Sequence, residues 1–425
     1  MIAFMVFLFI SLLLISTPIA IILLTVTGAT LQFFLHIPLQ ALVQQLFNGM
    51  DNFILLSIPF FILAGNIMAQ GSISKYLVKF MQLIVGHMPG GMAISSILAC
   101  IFFAAISGSS PATVIAIGSI MIPALVKYGY DEDFSIGLLT ASGSMGILIP
   151  PSIPMVLYAL VMNVSVGRMF LAGVLPGMVI GGLLIFYSVV MAKKNKWDTP
   201  MKIDRAQSIQ LIKTASWGIA MPIIVLGGIY LGIFTPTEAA AVSVVYALFV
   251  ELFIYRDMTL AQFHRILKES VILSSALLFI IACAMTFIWL LTREKLPAIA
   301  AEFLIAHIHN KYLFLFVINI FMLLVGCVMD IVSAIIVISP ILMLALQAFD
   351  IDLIHYGIIM IVNIELGFLT FPFGLNLFVA MGITGKSLTR VGRAVFPFLL
   401  ILLVGLLLIT YIPSISMFLP GLLMP

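Results

Sequence analysis

Charge is what this chain of 425 residues has least of. Asp, Glu, Lys and Arg together make up 8% of it, where a soluble globular protein carries about 25%. A water-soluble globule is excluded, and the 63% hydrophobic content excludes a disordered chain. Cysteine is as sparse: only Cys100, Cys283 and Cys327 occur, each inside an apolar run, so a disulfide scaffold is excluded. The net charge of +3 is too small for a nucleic-acid-binding surface. The sequence has no Gly-x-x-x-x-Gly-Lys-Ser/Thr loop, which excludes P-loop ATP hydrolysis. It also has no helix of regularly spaced basic residues to sense voltage. The six histidines show no metal-ligand spacing; His307 and His309 lie two apart, off a common helix face. Alternating segments of about 10 residues, the mark of a membrane β-barrel, are missing too.

What is present is apolar sequence in long runs, and an all-α polytopic membrane protein follows, because a helical span takes about 20 apolar residues. The expected spans are 1–16, 17–34, 51–70, 134–162, 169–192, 215–234, 236–255, 270–291, 353–382 and 395–418. Met1–Ile15 lacks a basic leader and a small-residue cleavage site and is read as the first span. Two further apolar stretches, 89–127 and 312–349, are each broken near the middle by small or polar residues. The longest polar stretch, Lys193–Lys213, carries six basic residues and divides the chain nearly in half. The positive-inside rule makes it cytoplasmic. Counting spans outward puts 71–88, 127–133, 255–269 and 385–394 on the same side, and these segments with the centre hold 15 of the 19 Lys and Arg. Both termini then lie outside the cytoplasm.

The halves read as a duplication. Thr17-Pro18 matches Thr235-Pro236, Met121–Leu125 matches Ile338–Leu342, and Gly146–Pro151 matches Gly367–Pro372, each at an offset of about 220 residues. Three spans precede each broken stretch and two follow it. If each broken stretch is a hairpin that enters and leaves on one side, the second half is inverted relative to the first. Inverted repeats interrupted at matching positions point to a transporter's substrate site. The expected organisation is a first repeat over 1–192, a basic cytoplasmic linker over 193–214 and a second repeat over 215–425. The first repeat has scaffold spans in 1–70, a hairpin at 89–127, an interrupted helix at 134–162 and a span at 169–192. The second has scaffold spans in 215–291, a hairpin at 312–349, an interrupted helix at 353–382 and a span at 395–418.

The interruptions hold the chemistry. Backbone freed from a helix at membrane depth must be buried in protein or line a cavity. In Ser107-Gly-Ser-Ser-Pro-Ala-Thr113, freed carbonyls and four hydroxyls are hard oxygen ligands suited to a small cation; a Ser/Gly packing seam is the bland alternative. Its mirror is Gly326-Cys-Val-Met-Asp330, where a mid-membrane acid is costly unless paired or ligating. Asp330 reads as a cation ligand or as the cap of the next helix, and both roles are compatible. Ser142–Pro154 and Asn363–Gly374 read as the interrupted helices, broken by proline and glycine. Glu238 fits a capping box with Thr235. Glu365, the other acid inside a span, supports a site or pairs with a base. Arg293, at a span end, either attracts an anionic substrate or snorkels to the interface, and snorkelling is favoured. Hard neutral oxygens suit sodium, whereas proton coupling would usually use a chain of titrating groups. No organic cofactor is expected, and transport rather than catalysis is the expected activity. An intramembrane serine hydrolase built on Ser109 would need a histidine base at membrane depth, and the histidines fall mostly in loops or at span ends.

At these residues the chain resembles the large membrane subunit of tripartite ATP-independent periplasmic (TRAP) transporters, of the dicarboxylate and sialic-acid type. The matching signatures are Ser107–Thr113, Gly143–Ser152, Gly232–Ala239, Gly367–Phe378 and Asn52–Asn66. The resemblance covers essentially the whole chain. In one departure, Thr370-Phe371-Pro372 stands where the family usually has Thr-Pro-Pro. The resemblance implies an elevator-type transporter of the bacterial inner membrane, with two re-entrant hairpins and two interrupted helices. It implies import of an organic acid with co-transported sodium ions, a small four-helix membrane subunit and a periplasmic binding protein that delivers the substrate. Sialic acid is weakly favoured over a C4-dicarboxylate. A stand-alone ion-coupled carboxylate carrier is the runner-up. Carried over by residue, a first sodium site takes Ser107, Ser109, Gly146, Ile149 and Pro151. A second takes Gly326, Asp330, Gly367 and Thr370. Substrate lies near Ser110, Pro150 and Pro372.

Overall fold

Proline and glycine, more than any fall in hydrophobicity, decide where helices stop in this chain. The computed structural model describes residues 1–197, 205–371 and 374–424, and every element of regular structure among them is helical. The first half folds as α1 (Ile2–Leu14), α2 (Ile19–Thr30), α3 (Gln40–Met50), α4 (Ser57–Gln70), α5 (Ile73–Val85), α6 (Gly91–Ser107), α7 (Ser110–Lys127), α8 (Glu132–Ser144), α9 (Ile153–Val161) and α10 (Val166–Asn195). The second folds as α11 (Arg205–Tyr230), α12 (Pro236–Phe249), α13 (Leu260–Arg293), α14 (Leu296–His307), α15 (Lys311–Gly326), α16 (Ile331–Ala348), α17 (Leu353–Gly367), α18 (Leu375–Thr384), α19 (Leu388–Tyr411) and α20 (Ser414–Leu423). Eight helices among the described residues are long and apolar enough to cross a membrane, and the helices flanking the breaks are mostly shorter.

Matching positions in the two halves carry matching local devices. Asp131 caps α8 by accepting from the Phe134 amide at 2.8 Å, and Asp352 caps α17 by accepting from the Ile354 amide at 2.7 Å. Pro123 and Pro340 lie inside α7 and α16, and Pro176 and Pro397 inside α10 and α19. Thr235 and Glu238 form the expected capping box: the Thr235 amide donates to Glu238 Oε2 at 2.8 Å and the Glu238 amide to Thr235 Oγ1 at 3.3 Å.

Helices α2, α3 and α4 pack on α13, and α4 also on α12. Around the breaks α7 packs on α8 and α18, α8 on α19, α9 on α16 and α15 on α17, while α6 packs also on α5 and α16 also on α14. Contacts of α4 with α6, α7 and α9 and of α13 with α16 join these two groups.

Some expected boundaries are corrected. Segments 35–50, 71–88 and 292–311 were expected to be connections, yet they contain α3, α5 and α14. The α5 stripe explains its case: Ile73, Leu77, Val78, Met81 and Val85 are buried at helical spacing while Lys75 and Lys79 face out. Helix α13 runs longer than the expected 270–291, and the last expected span, 395–418, is divided between α19 and α20.

The basic segments meet one another. Ser72 Oγ donates to Asp257 Oδ2 at 2.5 Å, Arg265 Nη2 to Gln70 Oε1 at 3.3 Å, and the Tyr255 hydroxyl to the Thr214 carbonyl at 2.7 Å. Lys386 Nζ lies 2.9 Å from Glu132, and Arg390 bridges Glu132 and Asp133 at 2.9 and 2.7 Å. The hydrogen bond from Lys386, with Arg390 behind it, holds the exposed Glu132 carboxyl below the usual range. The Tyr130 ring sits 5.3 Å from Trp197, at the start of the central linker. Residues 198–204 of that linker lie outside the described residues.

Candidate functional site

The first break is a tight turn of two residues between α6 and α7. Gly108 takes a left-handed backbone (φ 57°) that most side chains resist. A Cβ there would also stand 2.9 Å from the Pro151 carbonyl. Ser109 turns extended and starts α7, with proline in the first turn, where its missing N–H is no loss. The tip is an oxygen cluster. Ser107 Oγ lies 3.1 Å from Thr113 Oγ1, which donates to the Ser109 carbonyl at 2.8 Å; the Thr113 amide reaches the same carbonyl at 3.1 Å. Gly146 presses on this tip, its Cβ position 2.9 Å from Thr113 Oγ1 and 3.1 Å from the Ser109 carbonyl. Just beyond, a cis Pro150-Pro151 bond carries the chain from the end of α8 to α9. Ile149 packs with Ala104 and Ala105, one turn before Ser107. Ser107, Ser109, Gly146, Ile149 and Pro151, expected around one cation, are thus gathered on one tip.

The second break lies between α15 and α16. Gly326 and Gly367 are in backbone contact, and a side chain on either would strike the other's main chain. Thr370 Oγ1 donates to the Gly367 carbonyl at 2.7 Å and lies 2.7 Å from Cys327 Sγ. Gly326, Gly367 and Thr370 are therefore together, and Cys327, which sequence reasoning missed, joins them. Asp330 is placed differently. It is exposed and caps α16, accepting from the Ser333 amide at 3.0 Å and from the Ser333 hydroxyl. It borders an open cavity of about 420 Å³ whose far wall is Leu13, Leu14, Ser16 and Thr17. No hydrogen bond joins its carboxylate to Gly326, Gly367 or Thr370 among the described residues.

A third cluster links the two halves. Ser110 Oγ donates to Glu365 Oε1 at 2.5 Å, and Asn376 Nδ2 is within 2.5 Å of Ser110 Oγ, 2.9 Å of Ser144 Oγ and 2.9 Å of Glu365 Oε1. All four residues are buried. Glu365 was expected to support a site or to meet a base; it meets two neutral donors. Ser110, expected beside substrate, is fully buried with its hydroxyl turned to Glu365. Pro150, also expected near substrate, is buried, and Pro372 lies outside the described residues. Arg293 stacks over Trp289, 5.7 Å from the ring centre, and lies 3.9 Å from Glu294 with its side chain half exposed. Among the described residues these are the contacts of Arg293, and neither brings it to a tip. A second polar chain went unread. Asn363 Nδ2 donates to Asn319 Oδ1 at 2.6 Å and Asn319 Nδ2 to Thr410 Oγ1 at 3.1 Å, joining α17, α15 and α19. Asn363 stood in a quoted motif, but its partners lie far away in sequence and left no local signal.

Fold and breaks together define a multi-span helical membrane protein of transporter class. In three dimensions the chain is similar to the YdaH transporter of Alcanivorax borkumensis, with a TM-score of 0.64 over 87% of this chain and 86% of that one. At 13% sequence identity that likeness concerns the fold alone. The tripartite ATP-independent periplasmic transporter family, DctM component, matches residues 6–415. The chain is 41% identical to the C4-dicarboxylate TRAP transporter large permease of Rhodobacter capsulatus, over 98% of both chains. It is 44% identical to the large permease of the same name from Pseudomonas aeruginosa, over 92% of both. The chain belongs to the DctM component family of these transporters, and it is a transport protein, not an enzyme.

Proposed function

We propose that this chain is the membrane subunit that carries a C4-dicarboxylate, together with sodium ions, from the periplasm to the cytoplasm across a bacterial inner membrane. Its relatives at 41% and 44% identity bear the C4-dicarboxylate name, so that substrate class replaces the lean towards sialic acid drawn from the sequence. Following the family, a periplasmic binding protein hands over the substrate and a small four-helix membrane subunit completes the carrier. The central basic linker faces the cytoplasm, an orientation supported by the mutual contacts of the basic segments.

The observation that carries the sodium reading is the gathering of neutral hard oxygens at the first tip. Ser107, Ser109 and Thr113 come from α6 and α7, and the Gly146, Ile149 and Pro151 backbone comes from the α8–α9 break. Breaking both helices frees carbonyls that a continuous helix would use internally. A small hard cation is the ligand such a set suits. At the second tip the Gly326–Gly367 contact brings α15 and α17 together beside Thr370. Asp330 is reserved for a rearranged state in which it leaves its capping role.

Movement follows the elevator pattern. The group of α2, α3, α4, α12 and α13 stays, while the helices around the two breaks move with the site. The mutual packing of α2, α3, α4, α12 and α13, and of α7, α8 and α18 with one another, supports this reading. Reconstitution tests the assignment. Proteoliposomes holding this chain, its small subunit and the binding protein are expected to take up radiolabelled succinate in preference to N-acetylneuraminate. Uptake by this chain alone, at the same rate as with both partners, would replace the proposal with a stand-alone carrier.

A further inference from the structure

Arg293 stands in the short turn between α13 and α14, away from both tips, and those two helices wall an apolar cavity of about 430 Å³. Leu291 and Leu296, on the cavity wall, flank the turn directly: Leu291 is two residues before Arg293, and Leu296 follows Lys295. Phe287 of α13 and Ala300 of α14 line the same space, and Phe9 of α1 and Val337 of α16 face them. All thirteen side chains on the wall are apolar. Ile10 and Ile299 among them are about half exposed, so the cavity opens to the outside of the helix bundle.

Neither water nor empty space suits such a cavity. A wall without polar groups offers water no hydrogen-bond partner, so the space stays dry. Left unfilled, it forfeits the dispersion contacts of its lining. The filler at hand in a membrane is hydrocarbon. Helix α1 packs on α2 and stands off α16. The cavity at Asp330 lies between the same two helices one turn further along, at Leu14 and Ser333. A partner helix is about 10 Å across and suits a groove between two helices. This space is walled by four helices, as suits a single flexible chain.

Charge decides which way round a lipid would lie. The end towards Ser333 carries the acidic Asp330 and repels a phosphate. The turn at the other end is basic. Arg293 and Lys295 are exposed, and Lys295 makes no ion pair among the described residues. Lys295 also caps the N-terminus of α14, where the positive end of the helix dipole favours an anion. Glu294, 3.9 Å from Arg293, offsets part of this charge, and Glu302 lies nearly two turns further along α14. Trp289 beneath Arg293 is a residue type that collects at the headgroup level. Arginine can offer two parallel donors to one phosphate.

We infer that this cavity is a phospholipid site: one acyl chain of a membrane phospholipid fills it, and the phosphate of that lipid is held by Arg293 and Lys295. The chain then lies between α13 and α16, which belong to the two different packing groups. It fills that seam with a liquid where interlocked side chains would resist sliding. The site stands whether or not the helices around the breaks move.

Lipid retention tests the site without any transport measurement. The purified full chain, stripped of lipid in detergent, is titrated with a phosphatidylglycerol and separately with a diacylglycerol of the same acyl chains, and bound lipid is counted by native mass spectrometry. The chain is expected to retain one phosphatidylglycerol and to hold diacylglycerol more weakly. Ala300→Trp, which fills the cavity, and the paired variant Arg293→Gln with Lys295→Gln should each weaken retention by about tenfold or more. Phe186→Trp, on an exposed face of α10, should leave it unchanged. If Ala300→Trp does not fold, the paired charge variant decides alone. The proposal is overturned if these variants retain phosphatidylglycerol as the unaltered chain does, or if diacylglycerol is held equally well. It is also overturned if adding the small membrane subunit displaces the lipid, which would give the cavity to a protein helix.

Discussion

The two tips lie at matching positions in the two halves of the chain and solve the burial of broken backbone in opposite ways. At the first, the polar groups are neutral and inward. Ser107, Ser110 and Thr113 are buried, bonded to one another's turn or to the second half. At the second, the one charged group faces out: Asp330 is exposed over an open cavity, Val328 is 55% exposed, and the buried contact is made by two glycines with no side chain. The contrast follows from the cost of charge. A hydroxyl can be buried once it has a hydrogen-bond partner, whereas a carboxylate needs a counter-ion or water. The tip that carries Asp330 stays open to water, and the tip that carries the serines is closed.

Variants can break that contrast, and the largest effect is expected at the closed tip. Ser107→Ala removes one hydroxyl from the proposed first cation set. An interaction with a charged group is worth about 1.5–3 kcal/mol, so the sodium concentration for half-maximal uptake should rise by about tenfold or more. Ser109→Ala should give a smaller rise, because the Ser109 contribution on this tip comes through its carbonyl. Uptake titrations against sodium check both, and an unchanged sodium dependence in Ser107→Ala would remove that ligand. Next comes Gly367→Ala, which drives a methyl group into the Gly326 backbone. Overpacking of this kind costs about 1–3 kcal/mol, and a lowered midpoint in detergent thermal unfolding is the expected readout.

Asp330 separates the two tips most cleanly because one side chain has two possible duties. Asp330→Asn keeps an acceptor for the Ser333 amide and removes the charge; Asp330→Ala removes both. Losing the cap costs about 1 kcal/mol, so Asp330→Ala should lower thermal stability while Asp330→Asn leaves it nearly intact. If Asp330 also binds sodium, both variants raise the half-saturating sodium concentration. A defect confined to Asp330→Ala, in stability alone, would leave Asp330 as a cap. The smallest effects belong to the margins. Glu238→Ala opens the capping box and should cost about 0.5–1 kcal/mol, and Arg293→Ala, which loses its stack on Trp289, should leave the substrate concentration for half-maximal uptake unchanged.

Local features of the fold were readable from the chain, and long-range ones were not. The breaks at Gly108 and Pro150-Pro151 are announced by residues whose backbone leaves little choice, so the interrupted elements fall where the sequence puts them. The Thr235–Glu238 cap is local and equally plain. Helices α3 and α5 were missed because they are short and amphipathic, so a search for apolar runs passes over them, and α14 because its 12 apolar residues are too few for a span. The Ser110–Glu365–Asn376 joint was unreadable for another reason. Ser110 and Glu365 were each noticed, but they lie 255 residues apart, and nothing near Glu365 in the chain says that its partners are neutral. For Asp330 the two readings were left open, and the structure occupies one of them, the cap.

Gradient-exchange uptake tests the central claim, that neutral oxygens gathered at broken helices couple transport to sodium, most directly. Proteoliposomes carrying the chain with its small subunit and binding protein are loaded and diluted so that an inward sodium gradient, an inward proton gradient or neither is present. Succinate uptake should follow the sodium gradient and fall to background when choline replaces sodium, with or without the proton gradient. Full-rate uptake driven by protons in the absence of sodium would contradict the account.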